Sequence, residues 1–320
     1  TYSIASPSTI TNSQTITLTF GAVDHLGITT PASGFTNDAT WTTQPVVTVY
    51  DYSNNVVTNA SGNVTASLNG SLITFAGTKA VAVSNGVATF TDLKLTGPAT
   101  NYTLYFSFTG ATGTNQSVPL TFGAATKLVM KTQPVAGVTR AVFSTQPEVY
   151  VQDVSGNVVT NSTVAVTASL TGGTLYAGTT TVNAVAGVAS FTDLAPSGRT
   201  NSSMSLTFTS SPLSSTSSSS FNVTYGAPAQ LVMTGVSTAT SGTAMLNVPS
   251  ITVKDADNNT VANSTVTIDL TSTDATLSGT VSQAAVSGVA DWSIYSLTMV
   301  GIAGSRNLTA TINGTNITTT

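Results

Sequence analysis

QPVVTVYDYSNNVVTN (44–59) returns without a gap as QPEVYVQDVSGNVVTN (146–161) and again as VPSITVKDADNNTVAN (248–263). Pro45, Pro147 and Pro249 fall 102 residues apart, as do Asp51, Asp153 and Asp255. Each copy runs through an alternating, β-branched stretch and breaks at SNN, SGN or DNN. Val and Thr suit a pleated, half-buried surface. Asn and Gly tolerate positive φ, so the block reads as a strand, a hairpin turn and a return. Three copies make internal repetition the organising feature of the chain.

Two further blocks keep the same register. GVATFTDL from Gly86, GVASFTDL from Gly187 and GVADWSIY from Gly288 recur at 101, and GAVDHLGI (21–28), GAATKLVM (123–130) and GAPAQLVM (226–233) open the units. The apolar pattern has period two throughout, with no capped 3.6-residue stripe, and about seven short strands fill each unit. This predicts an all-β chain of three tandem immunoglobulin-like β-sandwich domains at 21–122, 123–225 and 226–320. Phe90, Phe191 and Trp292 share one repeated position and are the expected core aromatics. The junctions pass through Gly-Ala with no linker, which predicts restricted bending between domains. The Ser-rich run 214–220 reads as a mobile loop and a candidate for O-glycosylation.

The pattern QPxVxVxDxxGNVV, followed by Thr-rich strands and GVAxFTDL, resembles the immunoglobulin-like repeats of invasin- and intimin-type adhesins. Similar repeats occur in archaeal and bacterial surface-layer and adhesin proteins. The resemblance covers residues 21–320, with the third copy degenerate where FTDL becomes Trp292-Ser-Ile-Tyr. It implies a cell-surface stalk, fibre or adhesive module, and it brings no catalytic residues.

A fourth motif is offset from this frame. SQTITLTFGA (13–22), QSVPLTFGA (116–124) and SSFNVTYGA (219–227) align as alternating strands ending at Gly-Ala. Their apolar sets are Ile16, Leu18, Phe20; Val118, Leu120, Phe122; and Phe221, Val223, Tyr225. The second and third copies close a unit, whereas the first precedes the first unit. The third unit runs out at ATINGTNITTT (310–320) without such a strand. Residues 1–20 therefore read as an N-terminal donor strand. It is expected to enter the third domain of another copy beside Leu308, Ala310 and Ile312, giving a head-to-tail homopolymer. Two other readings are a stalk segment of a longer adhesin or surface-layer protein, and a glycan- or protein-binding module.

Composition narrows the partners. Charged residues are 6% of the chain, against roughly 25% in ordinary soluble proteins. The formal net charge is −4 and the eight Lys and Arg are scattered, which argues against nucleic acid. No run reaches the length of a membrane-spanning helix. There is no Cys, which excludes disulfides and thiolate chemistry. The chain begins at Thr1 and is expected to be a processed product.

Thirteen Asn-x-Ser/Thr sequons stand at Asn59, Asn63, Asn69, Asn101, Asn115, Asn161, Asn201, Asn222, Asn258, Asn263, Asn307, Asn313 and Asn316. Chance would give about seven for this Ser/Thr content. The excess predicts covalent N-glycans and an extracellular, cell-surface location.

Residues suited to catalysis are sparse. His25 is the single histidine, and its register-mates are Lys127 and Gln230, so the position reads as an exposed polar slot rather than part of a Ser-His-Asp triad or a zinc site. In KDADNN, Asp255, Asp257 and Asn259 alternate as calcium ligands can. The equivalents DYSNN and DVSGN lack the second Asp, so an Asx-type turn is expected. Asp92 and Asp193 read as turn acceptors at strand ends. The twelve acids offer no pair for glycoside hydrolysis. The sequence predicts no enzyme activity and no cofactor.

Overall fold

The computed structural model describes residues 14–319, and among them every regular element is a strand. The chain packs as two compact units. One comprises the described residues up to Ala124 together with Asp153–Asn157, and the other comprises 125–152 with 158–319.

In the first unit, strands Val23–Thr30, Val46–Asp51 and Val87–Thr89 form one sheet. Ala80–Ala82, Asn63–Leu68, Asn101–Ser107 and Thr114–Pro119 form the facing one. A two-stranded ribbon, Thr74–Ala76 with Lys94–Thr96, lies beside them. Val47 pairs with Ala88, Ala66 with Phe106 and Tyr102 with Val118, all antiparallel. His25 and Thr112 form a parallel bridge between the first strand and the last hairpin. This order is that of an immunoglobulin-type sandwich. Its inward residues, including Val47, Val64, Leu104, Phe106 and Val118, are at most 1% exposed.

The second unit carries the same plan in its two repeats. In the first of these, one parallel bridge, Lys127 with Ser214, joins the two sheets into a seven-stranded one. In the other, Gln230–Thr234, Ser250–Lys254 and Val289–Asp291 face Ser282–Ala284, Thr267–Thr271, Thr309–Ile312 and Thr318–Thr319.

The shared aromatic position is buried in every repeat, at 1%, 2% and 0% exposure for Phe90, Phe191 and Trp292. Phe90 meets Phe106 at 5.4 Å and Phe191 meets Phe208 at 5.3 Å, both tilted. The third repeat places Ala310, rather than Phe, opposite Leu270 at the corresponding step of its sheet. The larger indole of Trp292 fills that core instead, its Nε1 donating to Thr280 O at 2.8 Å. The turn residues behave as their sequence implies: Asn54, Gly156 and Asn258 have φ of 64°, 88° and 65°.

Two expectations change. Most of the Ser-rich run 214–220 is not a loop, and only 218–220 lie outside a strand. Leu213–Ser217 is a strand on Ser205–Ser210, and the Ser218 hydroxyl accepts the Leu206 N–H at 3.0 Å. Serine composition misled because a buried hydroxyl next to an edge backbone can be fully hydrogen-bonded. The third repeat also begins a closing strand after all, since Thr318–Thr319 pairs with Ala310–Thr311. Thr319 there holds the step that Thr114 holds opposite Phe106.

Candidate assembly surface

The recurring block does more than turn the chain. In each copy the Asp at its centre accepts backbone N–H bonds from residues two and four further on. Asp51 Oδ1 takes Ser53 and Asn55 at 2.9 and 2.8 Å, and Asp255 Oδ1 takes Asp257 and Asn259 at 2.9 and 2.8 Å. The other oxygen holds the glycine that opens the unit: Gly21 on Asp51 at 2.7 Å, Gly123 on Asp153 at 2.8 Å and Gly226 on Asp255 at 2.8 Å. The expected Asx-type turn is therefore present, and it also pins the Gly-Ala junction.

Those donors favour the ionised carboxylates. Gly21 N–H, followed by Asn55, lowers Asp51 to about 2. Burial works against ionisation at Asp153 and Asp255, but the Gly and Asn donors outweigh it and both are lowered.

The Asn four residues after each Asp extends the motif into a clasp. Asn157 Nδ2 donates to Gly97 O at 3.0 Å and its Oδ1 accepts Ala99 N–H at 2.7 Å. Asn259 repeats both bonds, to Gly198 O at 3.1 Å and from Thr200 N–H at 2.8 Å. A small polar residue seals the other side. Gly97 N–H donates to Asn37 Oδ1, and Gly198 N–H donates to Thr139 Oγ1. Asn37 in turn donates to Asp153 and Ser155 at 2.8 and 3.0 Å, and Thr139 donates to Asp257. Both sealing residues are buried, at 3% and 4% exposure. These Asn, Thr and Gly roles were not read from the sequence. The available signal was the constant Asp-x-x-x-Asn spacing and the 102-residue recurrence of Asn37, Thr139 and Ser241.

The closing strands lie against the same edge in each completed repeat. Thr121 N–H donates to Phe35 O and Thr121 O accepts Asn37 N–H, at 2.9 and 3.0 Å. Thr224 makes the corresponding pair with Gly137 and Thr139, both at 2.9 Å. Val118, Leu120 and Val223 are buried at 0%, 4% and 3% exposure, and Phe221 meets Phe143 edge-on at 5.2 Å.

Residues 14–20 have the same sequence pattern but no strand partner. Ile16 and Leu18 are 82% and 93% exposed. Phe20 departs from them, packing partly buried on the core of the first repeat. Tyr225, in the same register, packs on the core of the repeat that follows it. The third apolar position thus belongs to the following repeat, not to the one being closed. Residues 1–13 of the expected donor segment lie outside the described residues.

At the matching edge of the third repeat lies an open cleft of about 670 Å³, lined by Val236, Thr240, Met245, Met299, Gly301 and Leu308 among others. Met245 and Leu308 on its floor are 8% and 7% exposed, while their counterparts Trp41, Phe143, Leu104 and Leu206 are at 0–3%. Leu308, Ala310 and Ile312 all contribute to this core, but Ala310 and Thr311 already pair with Thr319 and Thr318.

The remaining candidates are structural in their contacts. His25 lies between Asp24 Oδ2 at 3.0 Å and Asn54 Oδ1 at 3.1 Å, stacked on Tyr50. Asp92 and Asp193 each accept the N–H and hydroxyl of a Thr, Thr78 and Thr179, at 2.8 and 3.0 Å. Asp257 is held low against its burial by Arg140, Thr139 and Ser197. Among the described residues no group of three metal-ligating side chains is gathered, and no helix is long and apolar enough to cross a membrane. All thirteen sequon asparagines are exposed.

No family model and no curated protein sequence matches the chain. Solved structures with similar arrangements include the Escherichia coli adhesin FdeC, with 18% identity over 94% of this chain and 98% of that one, at a TM-score of 0.39. The bacterial integrin-binding protein invasin matches with 14% identity over 91% of this chain and 57% of its own, at 0.32. Domains 4–9 of the surface-layer protein SbsC match with 14% identity over 94% and 46%, at 0.29.

Proposed function

We propose that the chain is the structural subunit of an extracellular, N-glycosylated surface filament. Its three tandem immunoglobulin-like sandwiches, 21–122, 123–225 and 226–320, join head to tail when residues 14–20 complete the third sandwich of another copy. The observation that carries this reading is a contrast between register-mates: Leu18 is 93% exposed and Leu120 is 4% exposed.

The register fixes the contacts of the donated strand. Thr19 takes the place of Thr121, donating to Ala239 O and accepting from Ser241 N–H. Ile16 and Leu18 cover Met245 and Leu308 on the cleft floor. Because Thr318–Thr319 already occupies Ala310–Thr311, the donor meets that strand only at Leu308 and before it. Burying Ile16 and Leu18 contributes on the order of 3–6 kcal/mol, at about 1.5–3 each, besides the backbone ladder. Phe20 stays with its own first repeat and so fixes where the donated strand leaves its subunit. The exposed sequons support a glycan coat, which would keep a surface with few charges in solution.

The test moves residues 1–20 from the front of the chain to a flexible linker after Thr320. A soluble, self-completed monomer is expected where the unaltered chain forms filaments. Continued filament growth by the rearranged chain would rule out donation between copies. The second reading, a stalk segment of a longer adhesin whose own neighbouring repeat uses this strand, predicts a native polypeptide far heavier than the glycosylated 320-residue chain in intact-mass measurement.

A further inference from the structure

The clasp that recurs within the chain has two incomplete halves, and they are complementary. We infer that the Asp51–Asn55 turn of one copy locks onto the Ser241–Ala303 edge of the next. This polar contact is separate from the donated strand but rests on the assembly proposed above.

The first half is the turn at the front of the chain. Asp51 and Gly21 are arranged as in the other copies, yet Asn55 is exposed, and its Nδ2 reaches only Asp51, at 3.0 and 3.3 Å. Its register-mate Asn259, with the clasp closed, is 5% exposed. The second half is the cleft edge of the third repeat. Ser241 occupies the sealing position of Asn37 and Thr139, and Gly301 N–H donates to its hydroxyl at 3.1 Å, as Gly97 and Gly198 donate to theirs. Ser241 is nevertheless exposed where Asn37 and Thr139 are buried. Its hydroxyl turns back onto Gly301 O at 3.0 Å, the acceptor that an Asn takes in both closed clasps.

Superposing the halves by register gives three specific bonds. Asn55 Nδ2 donates to Gly301 O, Asn55 Oδ1 accepts Ala303 N–H, and Ser53 meets Ser241 where Ser155 meets Asn37 and Asp257 meets Thr139. One element is absent by composition. Arg140 pairs with Asp257 inside the chain, but the residues at those positions in the lock are Gly242 and Ser53. The lock between copies therefore holds no ion pair.

The chain has no Cys, so Ser53→Cys with Ser241→Cys reports the contact directly. Both residues are exposed, and folding should be undisturbed. Oxidation of polymers of this double variant should give a ladder of covalent multimers, while either single variant should give none beyond dimers. Asn55→Ala should still polymerise, but subunits should leave the filament on the order of tenfold faster, for two lost hydrogen bonds. Monomer melting should fall only slightly, because Asn55 Nδ2 also bonds Asp51 within the subunit, and with no ion pair across the join salt should change the dissociation rate little. If the double variant forms filaments but no ladder, or Asn55→Ala filaments dissociate at the parent rate, the lock is wrong while strand donation stands. If the parent chain forms no filaments, both readings fall together.

Discussion

Arg140 reaches Asp257 with two guanidinium nitrogens, Nη2 at 2.7 Å and Nε at 2.9 Å, from a backbone held in the left-handed region at φ 61°. The Asp257 side chain is only 10% exposed. Removing the cation leaves a nearly buried carboxylate with Thr139 and Ser197 as its remaining side-chain donors. Arg140→Ala should therefore lower stability in denaturant unfolding, and by more than loss of an exposed ion pair does. Lys94→Ala, which removes an exposed pair with Asp38, should cost about 0–1 kcal/mol. Arg140→Gly relieves the φ requirement and should be milder than Ala at the same position.

Acid should loosen the chain through its three repeated aspartates. Each is more acidic folded than unfolded, with Asp51 at about 2 and Asp153 and Asp255 also lowered. Their stabilisation is complete above the unfolded value of about 3.9. It is lost as pH falls through the folded values. Melting temperature should be flat from neutral down to about pH 5 and decline below about pH 4. Asp153→Asn should melt lower at neutral pH and show a shallower acid decline than the parent.

Strand parity gives a sharp contrast at the donor segment. Leu18→Asp should sharply reduce filament formation, because a carboxylate carried onto Met245 and Leu308 is desolvated, even with Arg306 in the cleft wall. Thr17→Asp, on the opposite face and in register with exposed Pro119, should assemble nearly as the parent does. Electron microscopy of purified chains distinguishes the two outcomes.

Core volume is shared differently in the third repeat, and a double-mutant cycle reads it. Trp292→Phe alone opens a void beside Ala310, and Ala310→Phe alone overfills the same core. Each should cost about 1–3 kcal/mol. The double variant restores the Phe–Phe pairing seen at Phe90–Phe106 and Phe191–Phe208. It should cost less than the sum of the singles.

Native material should carry N-glycans on several of the thirteen exposed sequons. Peptide mass spectrometry that finds every sequon Asn unmodified would remove the glycan coat from the proposed function.

The sandwich plan was legible because alternation, turn residues and a three-fold register all point the same way. Phe90, Phe191 and Trp292 could be assigned to the core from register alone. Phe20 could not. Period two says which residues share a face, but not which of two adjoining repeats the face belongs to, and a chain crossing a junction changes hosts within two residues. The sealing role of Asn37, Thr139 and Ser241 was equally hidden. Those side chains act on backbone atoms some sixty residues away, at Gly97, Gly198 and Gly301, and such partners leave no mark on composition. The Ser-rich strand was misread because hydroxyls that serve an edge backbone look, in sequence, like hydroxyls that face water.

Each closed clasp is asymmetric: a carboxamide on one side, and a carbonyl and an N–H of the main chain on the other. The receiving side therefore asks for little beyond space and a seal: a glycine, where a Cβ would crowd Ile73, Met204 or Ala275, and a small polar side chain for its N–H. A repeat keeping the Asp-x-x-x-Asn turn can follow any repeat that offers this glycine and its polar seal. Gene duplication can then lengthen or reorder such a chain without matched changes on both sides of each join, and joins between molecules can draw on the same chemistry as joins within one.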